Sequence, residues 1–182
     1  TPSLLDLKAL GKFFSLLDQK KILEKIREIT LEANPDSFDE EKAKTYRSFG
    51  INRISLGIQS FDDKILKKLG RLSNRQKNKK AMEIVAKYFK NYSADLIYGI
   101  PGQKLEKELQ EFLEFNPPHL SAYCLSLAKG TPLYQDKKKF LLSDLTLNQK
   151  FYQIHKTLDK NQYIHYEVSN YAKKGFESLH NS

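Results

Sequence analysis

Residues 53–58 read Arg-Ile-Ser-Leu-Gly-Ile, a short run rich in apolar and β-branched side chains with turn residues on its flanks. A run of this length and make-up predicts a strand. Three more lie at 29–31 (Ile-Thr-Leu), 95–98 (Asp-Leu-Ile-Tyr) and 119–125 (His-Leu-Ser-Ala-Tyr-Cys-Leu). Helical patterns separate them. Ser37-x-x-Glu40 reads as a capping box opening a helix that stops before Gly50. Ser73-x-x-Gln76 opens another, with Ala81, Ile84, Val85, Tyr88 and Phe89 at the spacing of one buried stripe. Leu105, Leu109, Phe112 and Leu113 mark a third helix, and Phe151, Ile154, His155 and Leu158 a fourth.

A further helical stretch leads the chain, so the order is helix, β-α-β-α-β-α-β, helix. Strands alternating with helices at this spacing predict a parallel sheet with right-handed crossovers. Four such units are too few to close an eight-stranded barrel and fit an incomplete barrel or an open α/β sheet. The periodicity is interrupted around Gly130 to Leu142, at a turn and the run Lys137-Lys138-Lys139.

The chain has 182 residues, 40% of them hydrophobic and 12% aromatic, enough for one sizeable core. No apolar run approaches the roughly 18 to 20 residues that span a bilayer, and no signal-peptide pattern opens the sequence, so a cytoplasmic protein is expected. The net charge of +9 favours anionic partners in general. The lysines are mixed with acids on helix-like stretches such as 104–111, however, which reads as solvated helix faces. With no RNA-recognition aromatic motif and no helix-turn-helix signature, nucleic acid is not expected as a partner. The single cysteine, Cys124, excludes an internal disulfide and a multi-cysteine metal site within these residues. The chain begins at Thr1 and its one methionine is Met82, which reads as a piece of a longer protein.

In parallel α/β architectures, sites form at the carboxyl ends of the strands. The first run leads into Glu32-Ala33-Asn34-Pro35, the second into Gln59-Ser60, and the third carries Asp95 and ends in 98–103 (Tyr-Gly-Ile-Pro-Gly-Gln). Each also reads as ordinary turn chemistry, since Asn-Pro and Gly-rich segments are common turn signals. No phosphate-loop or dinucleotide-binding glycine motif is present. His119 and His165 have no metal-ligand partners at a diagnostic spacing and read as core or rim histidines. The residues alone describe a polar, mixed-charge cleft suited to a small zwitterion.

Taken in order, Glu-Ala-Asn-Pro at 32–35, Gly-Ile-Asn-Arg-Ile-Ser-Leu-Gly-Ile-Gln-Ser at 50–60, Leu-Gly-Arg at 69–71 and Asp-Leu-Ile-Tyr-Gly-Ile-Pro-Gly-Gln at 95–103 carry a resemblance. His-Leu-Ser-Ala-Tyr at 119–123, Gly-Thr-Pro-Leu-Tyr at 130–134 and His-Tyr-Glu-Val-Ser-Asn at 165–170 extend it. Together they resemble the radical S-adenosylmethionine (SAM) family of haem chaperones and oxygen-independent coproporphyrinogen III oxidase-like proteins. The resemblance implies part of a partial (β/α)6 TIM-like barrel. Residues 1–135 would form its later portion, without the first strand and cluster loop, and 136–182 a helix and the start of the family-specific region. It implies that Glu32, Gln59, Arg71, Asp95 and Ile97 line a SAM pocket with Thr1 at its edge, and that a [4Fe-4S] cluster is held by cysteines outside this chain. It further implies haem as cargo passed to an acceptor protein, with coproporphyrinogen III as substrate in the oxidase alternative. Any of His119, His155, His165 and His180 could supply a haem ligand.

Overall fold

The computed structural model describes residues 2–181. Thr1 lies outside them. Six strands form one sheet in the order β1-β2-β3-β4-β6-β5. β1 (Thr30–Ala33), β2 (Arg53–Gln59), β3 (Asn91–Tyr98) and β4 (His119–Cys124) are parallel. Helices α1 (Leu7–Gln19), α2 (Glu40–Ser48), α3 (Asp63–Lys68), α4 (Arg75–Tyr88) and α5 (Leu105–Glu114) precede or connect them. After β4 come the single turn α6 (Pro132–Gln135) and the long α7 (Asp144–Lys160), then β5 (Ile164–Glu167) and β6 (Asn170–Ala172). β5 and β6 form an antiparallel hairpin, and β6 runs antiparallel to β4.

That hairpin departs from the expected all-parallel sheet. Its strands have four and three residues, too short for a hydrophobic period to show. β3 also starts four residues before the expected run, at Asn91. The helix starts shift too. Asp39, not Ser37, caps α2 by accepting from Lys42 N at 2.8 Å. Ser37 belongs to a 3-10 turn at Pro35–Ser37, and its hydroxyl donates to Asn34 O. Asn74, not Ser73, caps α4 by accepting from Lys77 N at 2.9 Å. Both true caps hold the side-chain oxygen that N-terminal amides require.

The core lies between the helices and one face of the sheet. Ile54, Leu56 and Ile58 of β2 and Ala94 and Leu96 of β3 are fully buried in one cluster with Met82 and Val85 of α4, Phe112 of α5 and Leu158 of α7. Side chains alternate across a strand, so the other face carries the intervening residues. On that face stand Thr30 and Glu32, Arg53 and Ser55, Ser93 and Asp95, His119 and Ser121. Register sets Thr30 beside Arg53, Glu32 beside Ser55, Ser93 beside His119 and Asp95 beside Ser121.

Candidate functional site

This second face is polar and concave. It borders a cleft of about 800 Å³ whose walls include Glu28, Glu32, Arg53, Ser55, Ser121 and Tyr123. The segment 178–181 closes one side, where Glu28 accepts from Ser178 Oγ at 3.2 Å and from Leu179 N at 3.1 Å.

Asp95 stands beside the cleft, one hydrogen bond behind its wall. Ser55 Oγ reaches both carboxylate oxygens at 3.3 Å, and Ser93 Oγ donates to Oδ1 at 3.2 Å. Burial pushes its carboxyl up to about 6, while hydrogen bonds from Ser121, Ser93 and Ser55 and the Arg53 charge pull it back down. Because Ser93 spends its proton on Asp95, His119 Nδ1 donates to Ser93 Oγ at 2.8 Å. Its Nε2 then accepts from the Tyr166 hydroxyl at 2.7 Å, whose oxygen accepts from Ser178 N at 3.2 Å. Every donor in this run points toward Asp95. His119 is a core histidine, as expected, and burial lowers its pKa to about 3.

A second polar cluster forms at the carboxyl ends of β1 and β2. Arg71 donates from one NH2 group to Asn34 Oδ1 at 2.7 Å and to Gly57 O at 3.2 Å. The β2–β3 register slips after Leu56, and Gln59 beyond it sits at φ +67°. A bulge of this kind re-aims a side chain, and a non-glycine residue in the left-handed region stores strain. A Cβ on Gly57 would lie 2.9 Å from Gln59 Nε2, 3.3 Å from Asn34 Oδ1 and 3.4 Å from Arg71 NH2. Only glycine lets these three groups converge. Ser3, fully buried, extends the cluster, with its hydroxyl 3.3 Å from Asn34 N.

The expected site residues therefore divide. Gln59 and Arg71 meet at the carboxyl-end cluster. Glu32 lines the cleft, with Asp95 behind its serines. Ile97 follows Asp95 on the same face of β3, opposite Tyr123, and its carbonyl accepts from Gln103 Nε2 at 2.7 Å. The Gly99–Gly102 segment is a tight turn, with φ +84° and +82° at its two glycines. Arg53, Ser55, Ser121 and Tyr123 were not anticipated. The signal was the alternation of β2 itself, where Arg53, Ser55 and Gly57 separate three buried aliphatic residues.

The Radical SAM superfamily matches over residues 3–116. The chain belongs to that superfamily. Over its whole length it is 37% identical to the haem chaperone HemW of Escherichia coli K12 and 38% identical to that of Haemophilus influenzae, covering 49% and 48% of those proteins. It spans about half the length of the curated relatives it matches. It also superposes on the radical SAM coproporphyrinogen III oxidase of E. coli with a TM-score of 0.81, covering 96% of this chain and 42% of that one. At 21% identity this second likeness is one of fold. No helix among the described residues is long and apolar enough to cross a membrane. As a radical SAM domain with these features, the chain has the mixed α/β fold, with a mostly parallel sheet, of a partial TIM-like barrel.

Proposed function

We propose that this chain is the SAM-binding part of a haem chaperone, which carries haem to an acceptor protein. The identity to haem chaperones along the entire chain carries the reading. In it, residues 1–135 furnish the later part of the barrel and 136–182 open the family-specific region, whose hairpin joins the barrel sheet.

The donor set suits SAM. A carboxylate, Glu32, matches the ammonium, and the Arg71 guanidinium matches the carboxylate as a charge-assisted fork. Asp95 accepts from ribose hydroxyls, Gln59 donates and accepts, and Ile97 offers an apolar contact to adenine. The convergence of Gln59, Asn34 and Arg71 over Gly57, where a Cβ would come within 2.9 Å of Gln59 Nε2, is the feature of this fold that supports a polar ligand site there. The [4Fe-4S] cluster does not fit these residues. Cys124 is the chain's one cysteine, and the described residues hold no group of three possible metal ligands. Its place in the superfamily is to supply an electron to bound SAM. This chain's part is to hold SAM and keep water from it.

The haem ligand is better sought among His155, His165 and His180 than at His119. Both ring nitrogens of His119 are engaged inside the protein. His155 and His165 lie 5.4 Å apart by ring centroid, with His165 stacked on Tyr171 at 4.3 Å.

The fold likeness to the oxidase raises the second reading, oxidative decarboxylation of coproporphyrinogen III. The two readings separate in one anaerobic assay of the full-length protein with cluster, SAM and reductant. The chaperone reading expects haem binding and no protoporphyrinogen by chromatography. Steady product above the no-enzyme control makes the protein an oxidase.

A further inference from the structure

Arg53 opens β2 and is 97% buried, at 3% relative exposure. Its backbone N donates to Ile29 O at 3.2 Å, but its side-chain Nε is buried without a hydrogen-bond partner among the described residues. A buried guanidinium nitrogen without a partner is rare and costly, because its donor is taken from water and given nothing back. Burial accordingly disfavours its charged form, against the nearby charges of Glu28 and Asp95, which favour it. Neither acid bonds to it. Glu28 spends its oxygens on Thr30 Oγ1, Ser178 Oγ and Leu179 N, and Asp95 is held by serines.

The guanidinium borders the 800 Å³ cleft. Of the hydroxyls around it, Thr30 Oγ1 donates to Glu28 and those of Ser55 and Ser121 serve Asp95, which leaves the Tyr123 hydroxyl to donate to an anion there. Lys25 and Arg27 stand farther out on the cleft wall and add positive potential.

We propose that Arg53 is a binding residue that anchors a carboxylate of a small molecule in this cleft, with the Tyr123 hydroxyl beside it as a second donor. The cleft and the guanidinium with its unpaired Nε carry this proposal by themselves. Its two candidate sources rest on the proposed function: a propionate of haem, or the carboxylate of SAM, which Arg53 would then take in place of Arg71. A planar guanidinium takes either carboxylate through two parallel N–H···O bonds, a geometry lysine cannot reproduce.

The proposal makes a two-sided test on the full-length protein. Without ligand, Arg53→Met should melt at the wild-type temperature or above it, because the substitution removes an uncompensated buried charge. With ligand, Arg53→Met should bind at least tenfold more weakly, and Arg53→Lys should recover part of the loss. Titrating haem against haem dimethyl ester, and SAM against decarboxylated SAM, identifies the source. The correct acid is the one whose advantage over its neutral analogue disappears in Arg53→Met. A ligand-free variant that melts several degrees lower assigns Arg53 to a structural ion pair and overturns the proposal. So does unchanged affinity for both acids. If the wild type binds neither, the haem-chaperone reading fails by itself. The ligand-free melting and a melting shift by succinate, present in wild type and lost in Arg53→Met, then decide on Arg53.

Discussion

The two faces of β2 sit one residue apart and do opposite work. Ile54, Leu56 and Ile58 face the helices and are fully buried in an apolar cluster. Arg53, Ser55 and Gly57 face the concave side, where a guanidinium and a hydroxyl wall the cleft and the missing side chain lets Gln59, Asn34 and Arg71 converge. The first face stabilises the fold by removing apolar area from water. The second stabilises little, since it exchanges bonds with water for bonds within protein. A strand that carried only the first pattern would fold and bind nothing.

The sharpest way to break this division is to mutate neighbours. Ile54→Ala should cost about 2–5 kcal/mol of unfolding free energy, the range for truncating a buried aliphatic side chain. Ser55→Ala, one position on, removes a hydroxyl 3.3 Å from Asp95 and should cost about 1 kcal/mol. Denaturant midpoints with unchanged slopes measure both. Equal losses would mean that the concave face is as much a part of the core as the helix side.

The same division explains what could be read in the sequence. The helix-facing side announced itself, because Ile54, Leu56 and Ile58 form a compact apolar run. The first half of β3 did not. Ser93 is a concave-face residue and Asn91 and Tyr92 carry polar atoms, so the strand is legible only from Asp95 onward. The hairpin of β5 and β6 is held by pairing with β4, a long-range event that no local period reports. Asp39 and Asn74 lie next to other plausible capping residues, and the choice depends on where the preceding turn ends. Glu32, Gln59 and Asp95 stood out at the ends of the strand-like runs and Arg71 in the family motifs, as candidates for the proposed SAM pocket. The isolation of Arg53 was not, because it depends on what three other strands and the segment 178–181, over a hundred residues away, fail to offer it.

Acid stability probes the concave face alone. His119, at about 3 when folded against an ordinary 6.5, makes the unfolded chain bind the extra proton, so its contribution rises with pH in that window. Asp95, at about 6 against an ordinary 3.8, makes the folded chain bind it, so its contribution falls with pH from about 4 to 6. Over that shared range the two cancel. Glu108, pushed by burial to about 7, adds a falling slope common to all variants and drops out of their differences. Relative to wild type, Asp95→Asn should lose stability toward acid and His119→Gln should gain it, each by about 1.4 kcal/mol per pH unit between pH 4 and 6. Chemical denaturation at pH 4, 5 and 6 reads the slopes. Parallel curves for all three proteins would show that neither group titrates as its burial demands.

The last expected effect concerns ligand rather than fold. Asp95 and Arg71 stand on the concave side, and neither contributes a side chain to the apolar cluster. Each instead gives a charged group to the proposed SAM pocket. Loss of a hydrogen bond to a charged group costs about 1.5–3 kcal/mol, so Asp95→Ala and Arg71→Ala should each weaken SAM binding by about ten- to a hundredfold. Arg71→Ala carries an added local effect. The guanidinium bridges Asn34 Oδ1 and Gly57 O, so its removal also loosens the carboxyl ends of β1 and β2 and the polar cluster over Gly57. A Gln in its place can restore one bond to Asn34 but not the charge, and should recover the shape without the affinity. Lys138 provides the control, because it is exposed in a short 3-10 turn and its charge is screened by solvent. Lys138→Ala should leave both melting temperature and SAM affinity unchanged. Calorimetric titration of the full-length protein tests all four. Wild-type affinity in both Asp95→Ala and Arg71→Ala would remove those residues from the site and leave the cleft beside Arg53 as the place where a ligand must be sought.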